Sequence, residues 1–379
     1  MKSLLIIIDG LGDDLIPAFG YKSPFEYALH ENMDKLAAKG IRGNISICEK
    51  DFIPESLKCI LRLLGVSPKD FPTNRAYLEL LAQHRDITEQ EMVLRCNLVS
   101  VDKEGRLLSF NGEGLTPVQM KEAVFLITQG LLNNIECVHL SGYRNLLITD
   151  KNIEFMEKMA VKPPHESVGE NIEELLFNLK DNSLVLKDFL LQAREKMRKL
   201  EKDGVHYELY PWGASVRTVM QPFSQNHCGM QGAAVCSAEI VKGIADSLKM
   251  ERPKLLNATG ETDTDLQEKA TATLQMLSTH DFVLTHFNGS DEAAHRKNYN
   301  EKADFITRID NEFLAEVLTN ITEETKIFIC GDHGTSSLTG KHLVTPVPFI
   351  AGIAAGVGSI KPIKIYQDIW NFLYERGNK

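Results

Sequence analysis

Six side chains that can ligate a cation stand at the ends of apolar runs in this chain. Leu4 to Ile8 stops at Asp9-Gly10, and DFVLTHFN leads through Gly289-Ser290 to Asp291 and His295. IFICG delivers Asp332-His333, and His342 lies in the connection ahead of VPFIAG. Three carboxylates and three imidazoles suit Mn²⁺ or Zn²⁺ better than the all-oxygen shell preferred by Ca²⁺, with Mg²⁺ a further option. Asp291 and His295 are four residues apart, so in the first turn of a helix both point the same way. Two cations a few ångströms apart would clamp the attacking and leaving oxygens of an in-line phosphoryl displacement. Such chemistry also calls for a nucleophile. Ser56 follows Pro54-Glu55 and opens an amphipathic stretch, SLKCILRLLG, where backbone N–H groups and the helix dipole favour a phosphate.

Each of these residues has a plainer reading. Asp-Gly after a strand is a turn signal, and DxxxH is commonly a helix cap followed by a solvated histidine. Asp332-His333 can be a loop that satisfies its own backbone, and Ser56 taken alone reads best as an N-cap serine. What favours a metal site is the shared location. Ligands of open α/β sheets bind beyond the carboxyl ends of the strands, and four apolar strands here end in candidate ligands.

The elements that must position these residues follow a strand–helix rhythm at both ends of the chain. Leu4 to Ile8 is a continuous aliphatic run, as expected of a strand buried on both faces. GAAVCSAEIVKGIADSLKM, DFVLTHFN, KADFITRIDNEFLAEVL and KIFICGDH alternate strand and helix, which predicts an α/β fold with a doubly wound, mostly parallel sheet. EYALHENMDKLAAKG has helical spacing of Tyr27, Leu29, Met33 and Leu36, with Gly40 as its stop. From Leu94 the texture changes. LRCNLVSVDKEGRLLSF predicts a hairpin turning at Lys103-Glu104-Gly105, followed by the helix VQMKEAVFLITQGLL and the strands ECVHLS and YRNLLITD. The expected organisation is a core of residues 1–93 and 180–379 with a smaller α+β insertion at 94–179.

The 379-residue length accommodates such an insertion. With 42 basic against 52 acidic residues the formal net charge is −10, which disfavours nucleic acid and anionic membrane as partners. No run of 18 apolar residues occurs, so no transmembrane helix is expected, and the first apolar run is too short for a signal peptide. Seven scattered cysteines without CxxC spacing read as reduced thiols of a cytoplasmic protein. Oligomeric state is not readable.

The ensemble resembles the archaeal-type, cofactor-independent (2,3-bisphosphoglycerate-independent) phosphoglycerate mutases of the alkaline phosphatase superfamily. In that family an N-terminal DGxxD segment precedes KTPLExAxTPNLDxLAxxG; here the chain reads DGLGDDLIPAFGYKSPFEYALHENMDKLAAKG. The family's nucleophile lies in PGSDVAHLSILGYDP, and PESLKCILRLLGVSP aligns with it without a gap, placing Ser56 on the serine. RAYLELL, GYRNLLI, PHESVG, PWGAS, ATGETDTDLQEKA, SDEAAHRKNYNEKADFITRID and GDHGTSS…KHLVTPVP have counterparts in order along essentially the whole chain.

The resemblance implies two metal centres, Asp9, Ser56, Asp332 and His333 around one, and Asp291, His295 and His342 around the other. It implies that the insertion is a mobile cap in which Arg95, Arg144 and His165 bind the carboxylate or phosphate of a small phosphorylated substrate. It implies a ping-pong transfer through phosphoserine at Ser56, with no 2,3-bisphosphoglycerate. Departures cluster near the chemistry. The family's Gly-Ser-Asp is Glu55-Ser56-Leu57 here, and the histidine four residues beyond the serine is Ile60. A DPH motif of the cap has become Pro163-Pro164-His165, and Arg296-Lys297-Asn298 follows the metal histidine. Three readings follow: a mutase that interconverts 3- and 2-phosphoglycerate, a phosphatase or homoserine kinase-like phosphotransferase on another small metabolite, or a non-catalytic binding protein on the same scaffold.

Overall fold

The candidate ligands hang from a six-stranded sheet built of β1 (Ser3–Ile8), β2 (Ile41–Ile45), β8 (Gly232–Val235), β9 (Phe282–Phe287), β10 (Lys326–Cys330) and β13 (Val347–Ile353). Its spatial order is β2-β13-β10-β1-β9-β8. β1 lies parallel to both β10 and β9, and β8 is parallel to β9. β13 runs antiparallel to β10 and to β2, so one strand of this mostly parallel sheet is reversed. Every residue of β1, β9 and β10 is buried, because helices cover both faces, and this explains why those strands read as unbroken apolar runs. The predicted α/β class therefore holds.

The structure, a computed structural model, describes residues 2–47, 54–128, 135–151, 161–201, 203–356 and 360–374. It divides into two units, Met1–Phe71 with Met220–Lys379, and Pro72–Val219. The second unit is wider than the 94–179 expected from sequence. Its antiparallel sheet joins β3 (Glu91–Val101), β4 (Leu107–Ser109), β5 (Ile135–Ser141), β6 (Arg144–Asp150) and β7 (His206–Val216). β7 pairs with β3 over its whole length, which draws the chain past residue 200 into this unit. The helix Ala76–Leu81 belongs to it as well, its buried residues Ala76, Tyr77, Leu78 and Leu80 preceding the first strand. Pro211 disguised β7. A proline cannot donate to a ladder, yet β7 has no strand partner but β3 among the described residues, so its outer edge tolerates one.

Two further expectations are corrected. Tyr27 and Leu29 do not line a helix face: both are exposed, while Met33 and Leu36 are buried. A capping box at Ser23 and Glu26 closes a single turn, Pro24–Tyr27, and the extended backbone of Ala28 ends it. The true helix, Glu31–Lys39, starts without a cap of its own at His30. Its orphan N–H groups at Asn32 and Met33 are instead taken by the buried carboxylate of Asp310, at 2.9 and 2.8 Å. Asp310 sits in a π-helical segment, Ile309–Leu314, which interrupts the helix expected across KADFITRIDNEFLAEVL. Of the six described cysteines four are buried; Cys48 and the end of the helix expected over VQMKEAVFLITQGLL lie outside the described residues.

Candidate metal centre

Strand geometry places the ligands. β1 and β10 are in register from Ser3↔Lys326 to Ile7↔Cys330, so Asp9 and Asp332 emerge side by side just beyond the sheet. β9 ends at Phe287, and the helix Gly289–His295 then presents Asp291 and His295 one turn apart, with His295 Nε2 at 3.1 Å from Asp291 Oδ2. His342 is brought back by a two-stranded ribbon, β11 (Gly334–Thr335) against β12 (His342–Leu343). Close approach is possible because residue 10 is glycine. Gly10 has φ +66°, and a Cβ there would lie 2.7 Å from Asp291 Oδ1.

His333 Nε2 lies 3.4 Å from Asp9 Oδ1 and 3.6 Å from Asp332 Oδ2. His342 Nε2 lies 4.0 Å from Asp291 Oδ1 and 3.3 Å from His295 Nε2. The His333 and His342 rings lie with centroids 4.1 Å apart, tilted by 32°. Ligand atoms of five of these residues gather within 4.8 Å in two sets, Asp9–Asp332–His333 and Asp291–His333–His342, while His295 falls outside both and touches the second through Asp291 and His342. His333 bridges the two sets, a sharing that the resemblance did not imply.

The opposite ring edges fix which nitrogen faces inward. His342 Nδ1 donates to the Pro54 carbonyl at 2.8 Å, and His295 Nδ1 to the Gly340 carbonyl at 2.8 Å. His333 Nδ1 donates toward Thr335 Oγ1 at 3.2 Å, whose hydroxyl in turn donates to Asp291 Oδ1 at 2.5 Å. All three Nε2 atoms therefore turn toward the carboxylates, with their tautomers set from behind.

Fit to a cation is visible in what the centre leaves unpaired. Asp9 Oδ1 and Asp332 Oδ2 are buried and have no hydrogen-bond partner among the described residues. Burial, and then the charges of Asp332 and Asp291, push the Asp9 carboxyl well above the usual carboxylate range. Burial would raise Asp291 too, but the His295 hydrogen bond and the charges of His333, His295 and His342 hold it well below that range. The same contact with Asp291 raises His295 to about 9, while burial and the His333 charge lower His342. Three carboxylates crowded among imidazoles, with two oxygens orphaned, are electrostatically incomplete without bound positive charge.

Ser56 is the first residue of the helix Ser56–Leu63, with Glu55 in the N-cap position. Its Oγ is 3.2 Å from His333 Nε2, so the hydroxyl faces the centre. The plain N-cap reading fails here.

Sequence reasoning missed two buried groups at this edge. Lys302 is fully buried, donating to Asp13 Oδ2 at 2.7 Å and to the Thr335 carbonyl at 3.0 Å. Asp13 also accepts from Ser337 N at 2.8 Å, tying the loop after β1 to the loop after β10. A lysine at helical spacing reads as a solvated face, so only the DD of DGLGDD offered a hint. His286 is fully buried inside β9, with Nε2 at 3.3 Å from Asp9 Oδ2. The approach lacks hydrogen-bond alignment, leaving both ring nitrogens unpartnered among the described residues, and burial pushes the imidazole down to about 4.

In the second unit, Arg95 lies on β3 and Arg144 on β6, and His165 falls in the turn Pro164–Glu166. Arg95 stacks over Trp212 at 4.4 Å, and His165 meets the same indole edge-on at 6.2 Å. Arg95 Nε donates at 2.9 Å to Glu79, a buried carboxylate that also accepts from Arg75 Nε at 2.7 Å. Burial would raise Glu79, but the charges of Arg95, Arg75 and Arg144 hold it low. Three guanidiniums thus share one buried carboxylate. Arg75 and Glu79 escaped the sequence reading, although their spacing of four in RAYLELL was the available signal.

A family model described as the metalloenzyme superfamily matches residues 1–357. The chain is 26% identical over 371 residues to 2,3-bisphosphoglycerate-independent phosphoglycerate mutase 2 of Methanothermobacter thermautotrophicus, covering 95% of this chain and 91% of that one. It is 29% identical to 2,3-bisphosphoglycerate-independent phosphoglycerate mutase of Methanopyrus kandleri, covering 97% and 91%. In fold it is similar to a solved protein of Pyrococcus horikoshii, with TM-score 0.79 and 24% identity over 100% of this chain and 98% of that one. It is also similar to the cofactor-independent phosphoglycerate mutase of Thermoplasma acidophilum, with TM-score 0.59 and 20% identity over 98% and 99%.

Proposed function

This chain belongs to the metalloenzyme superfamily, and we propose that it is a metal-dependent phosphoryl-transfer enzyme interconverting 3-phosphoglycerate and 2-phosphoglycerate. The names of its curated relatives support this substrate. The single observation that carries the reading is Ser56 Oγ, 3.2 Å from His333 Nε2 and facing a centre with two orphaned carboxylate oxygens.

Asp9, Ser56, Asp332 and His333 would hold one divalent cation, and Asp291, His295 and His342 the other. Donor type favours Mn²⁺ or Zn²⁺, with Mg²⁺ a further option. Bound there, the two ions supply positive charge that stabilises a Ser56 alkoxide and the oxygens of the transferred group. Ser56 Oγ forms a bond to phosphorus as the substrate's 3-oxygen leaves, giving phosphoserine and glycerate. The 2-oxygen of glycerate then attacks that phosphorus and Ser56 Oγ leaves, so the bonds balance and no 2,3-bisphosphoglycerate is needed. Thr335 and the carbonyls of Pro54 and Gly340 hold the imidazoles in the inward tautomer throughout.

To the inserted unit, read from sequence at 94–179, we assign the role of substrate cap. Arg95, Arg144 and His165 would bind the carboxylate or phosphate, with Trp212 as the platform that keeps Arg95 and His165 in place. The described residues contain no helix long and apolar enough to cross a membrane, and we place the enzyme in the cytoplasm.

The test is an assay of metal-loaded protein with 3-phosphoglycerate, coupled through enolase. Ser56→Ala should lose activity by on the order of 10⁴-fold or more, as expected when a nucleophile is removed. Equal activity of the two proteins would sink the reading. A second reading rests on Glu55, whose carboxylate flanks Ser56 and is paired with Lys58 at 2.7 Å. A negative charge beside the nucleophile disfavours a polyanionic substrate, which suits a phosphatase or phosphotransferase acting on another small phosphorylated metabolite. Phosphate release from a substrate panel without mutase turnover would select it.

A further inference from the structure

His286 belongs to neither proposed ligand set, yet it is fully buried against Asp9 with both ring nitrogens unpartnered. A buried imidazole normally has partners, and one that lacks them marks a contact to be completed. Its backbone is fixed. Lys269, itself buried, donates to the His286 carbonyl at 2.8 Å, and Asp9 N donates to the Phe287 carbonyl at 2.9 Å. Register adds a further constraint, since β9 pairs residue by residue with β1 from Ser3↔Phe282 to Ile8↔Phe287. The imidazole lies with Nε2 at 3.3 Å from Asp9 Oδ2, the oxygen opposite to the orphaned Oδ1.

We propose that His286 is a positioning residue for Asp9: a small turn of the ring closes the 3.3 Å approach into an Nε2–H to Oδ2 hydrogen bond, which aims Oδ1 at the cation shared with Asp332 and His333. This inference rests on the metal reading of the centre. Direct ligation by His286 is the alternative, and the geometry is against it. Its Nε2 stands 3.3 Å from Asp9 Oδ2, while the ligand atoms that gather within 4.8 Å beside it are those of Asp9, Asp332 and His333. It reaches one ligand oxygen and acts through it. Asp9 has much to gain from such a partner. Its carboxylate faces the charges of Asp332 and Asp291, and a donor on Oδ2 sets the direction of the other oxygen without adding charge.

The experiment is Mn²⁺ titration by calorimetry of full-length, metal-stripped protein in three forms, wild type, His286→Phe and His286→Gln. Wild type should bind two ions. His286→Phe removes the donor and should weaken one of the two sites 10- to 100-fold, the usual cost of losing a partner behind a ligand, while leaving the other unchanged. His286→Gln restores an N–H at the same reach and should recover most of the loss, which a merely space-filling role would not produce. Unchanged affinity at both sites in folded His286→Phe overturns the proposal. So does a third ion bound by wild type and lost in His286→Phe, because that outcome makes His286 a ligand. Wild type that binds no Mn²⁺ overturns the metal reading itself, a result distinct from either. Should the Phe variant not fold, ¹⁵N-imidazole NMR of the Mg²⁺-loaded wild type decides. A proton on Nε2 of His286 is expected, and a bare Nε2 contradicts the proposal.

Discussion

The sheet unit crowds Asp9, Asp291 and Asp332 into one buried edge and leaves two of their oxygens unpaired. The inserted unit buries one carboxylate, Glu79, and engages both of its oxygens with Arg75 and Arg95. The first arrangement carries excess negative charge and open ligand positions, so it is poised for cations. The second surrounds one carboxylate with three guanidiniums and keeps a positive excess, the sign of charge that the proposed anion-binding role requires. Unpaired groups at the first site and paired groups at the second mark two different ways of preparing for a ligand. Metal ligands must keep their lone pairs free, whereas anion-binding arginines gain from being held in place beforehand.

Four measurements sharpen that contrast. The largest effect should come from Lys302→Met, which strips the buried partner from Asp13 while leaving every proposed ligand in place. Breaking a buried pair from one side costs about 3–5 kcal/mol, so urea unfolding should lose that much stability. A loss near zero would mean that the loops after β1 and β10 are not joined through this lysine. Next is the response to metal. Saturating Mn²⁺ at a hundredfold excess over its dissociation constant should raise stability by about 2.7 kcal/mol per site, and thermal melts with and without chelator report it.

Glu79→Gln should cost about 2 kcal/mol, since Arg75 is partly exposed and solvent screens part of the loss. It should also raise the KM for 3-phosphoglycerate more than it lowers kcat, because the arginines lose their orientation. An unchanged KM would separate this cluster from the substrate. The smallest effect is in acid. His227 is stacked against Trp370 and Tyr374, and burial lowers it from 6.5 to about 4. Between those values the unfolded chain binds more protons than the folded one, so this residue's contribution falls as pH drops from 6.5 to 4 and is constant above. Replacing His227 with Gln should flatten that part of the stability–pH curve, and an unaltered slope would assign the acid sensitivity elsewhere.

The clustering of Asp9, Asp291, Asp332, His333 and His342 was legible because strand ends are legible. Leu4 to Ile8 and Ile327 to Cys330 are apolar throughout, and Asp9 and Asp332 break those runs abruptly. Ser56 was not legible from local sequence, since a serine opening a helix reads the same whether it caps or attacks; only resemblance separated the two. His286 was hidden for the reverse reason, as a polar residue inside VLTHF that breaks no pattern. Glu79 and Lys302 sit at helical positions that normally face solvent, and tertiary contacts alone reveal their burial. The extent of the insertion was misjudged because β7 carries Pro211 and joins the unit through long-range pairing with β3, which no local signal encodes. Tyr27 and Leu29 kept helical spacing across a break that Ala28 imposes, a case of periodicity continuing past the end of an element.

The central claim is that the sheet edge binds two divalent cations through Asp9, Ser56, Asp332, His333, Asp291, His295 and His342. The most direct measurement is elemental analysis of full-length protein reconstituted with Mn²⁺ or Zn²⁺ and freed of excess ion, for wild type and for His342→Ala. The account predicts two ions per chain in wild type and one in the variant. A wild-type chain that retains neither metal would contradict it.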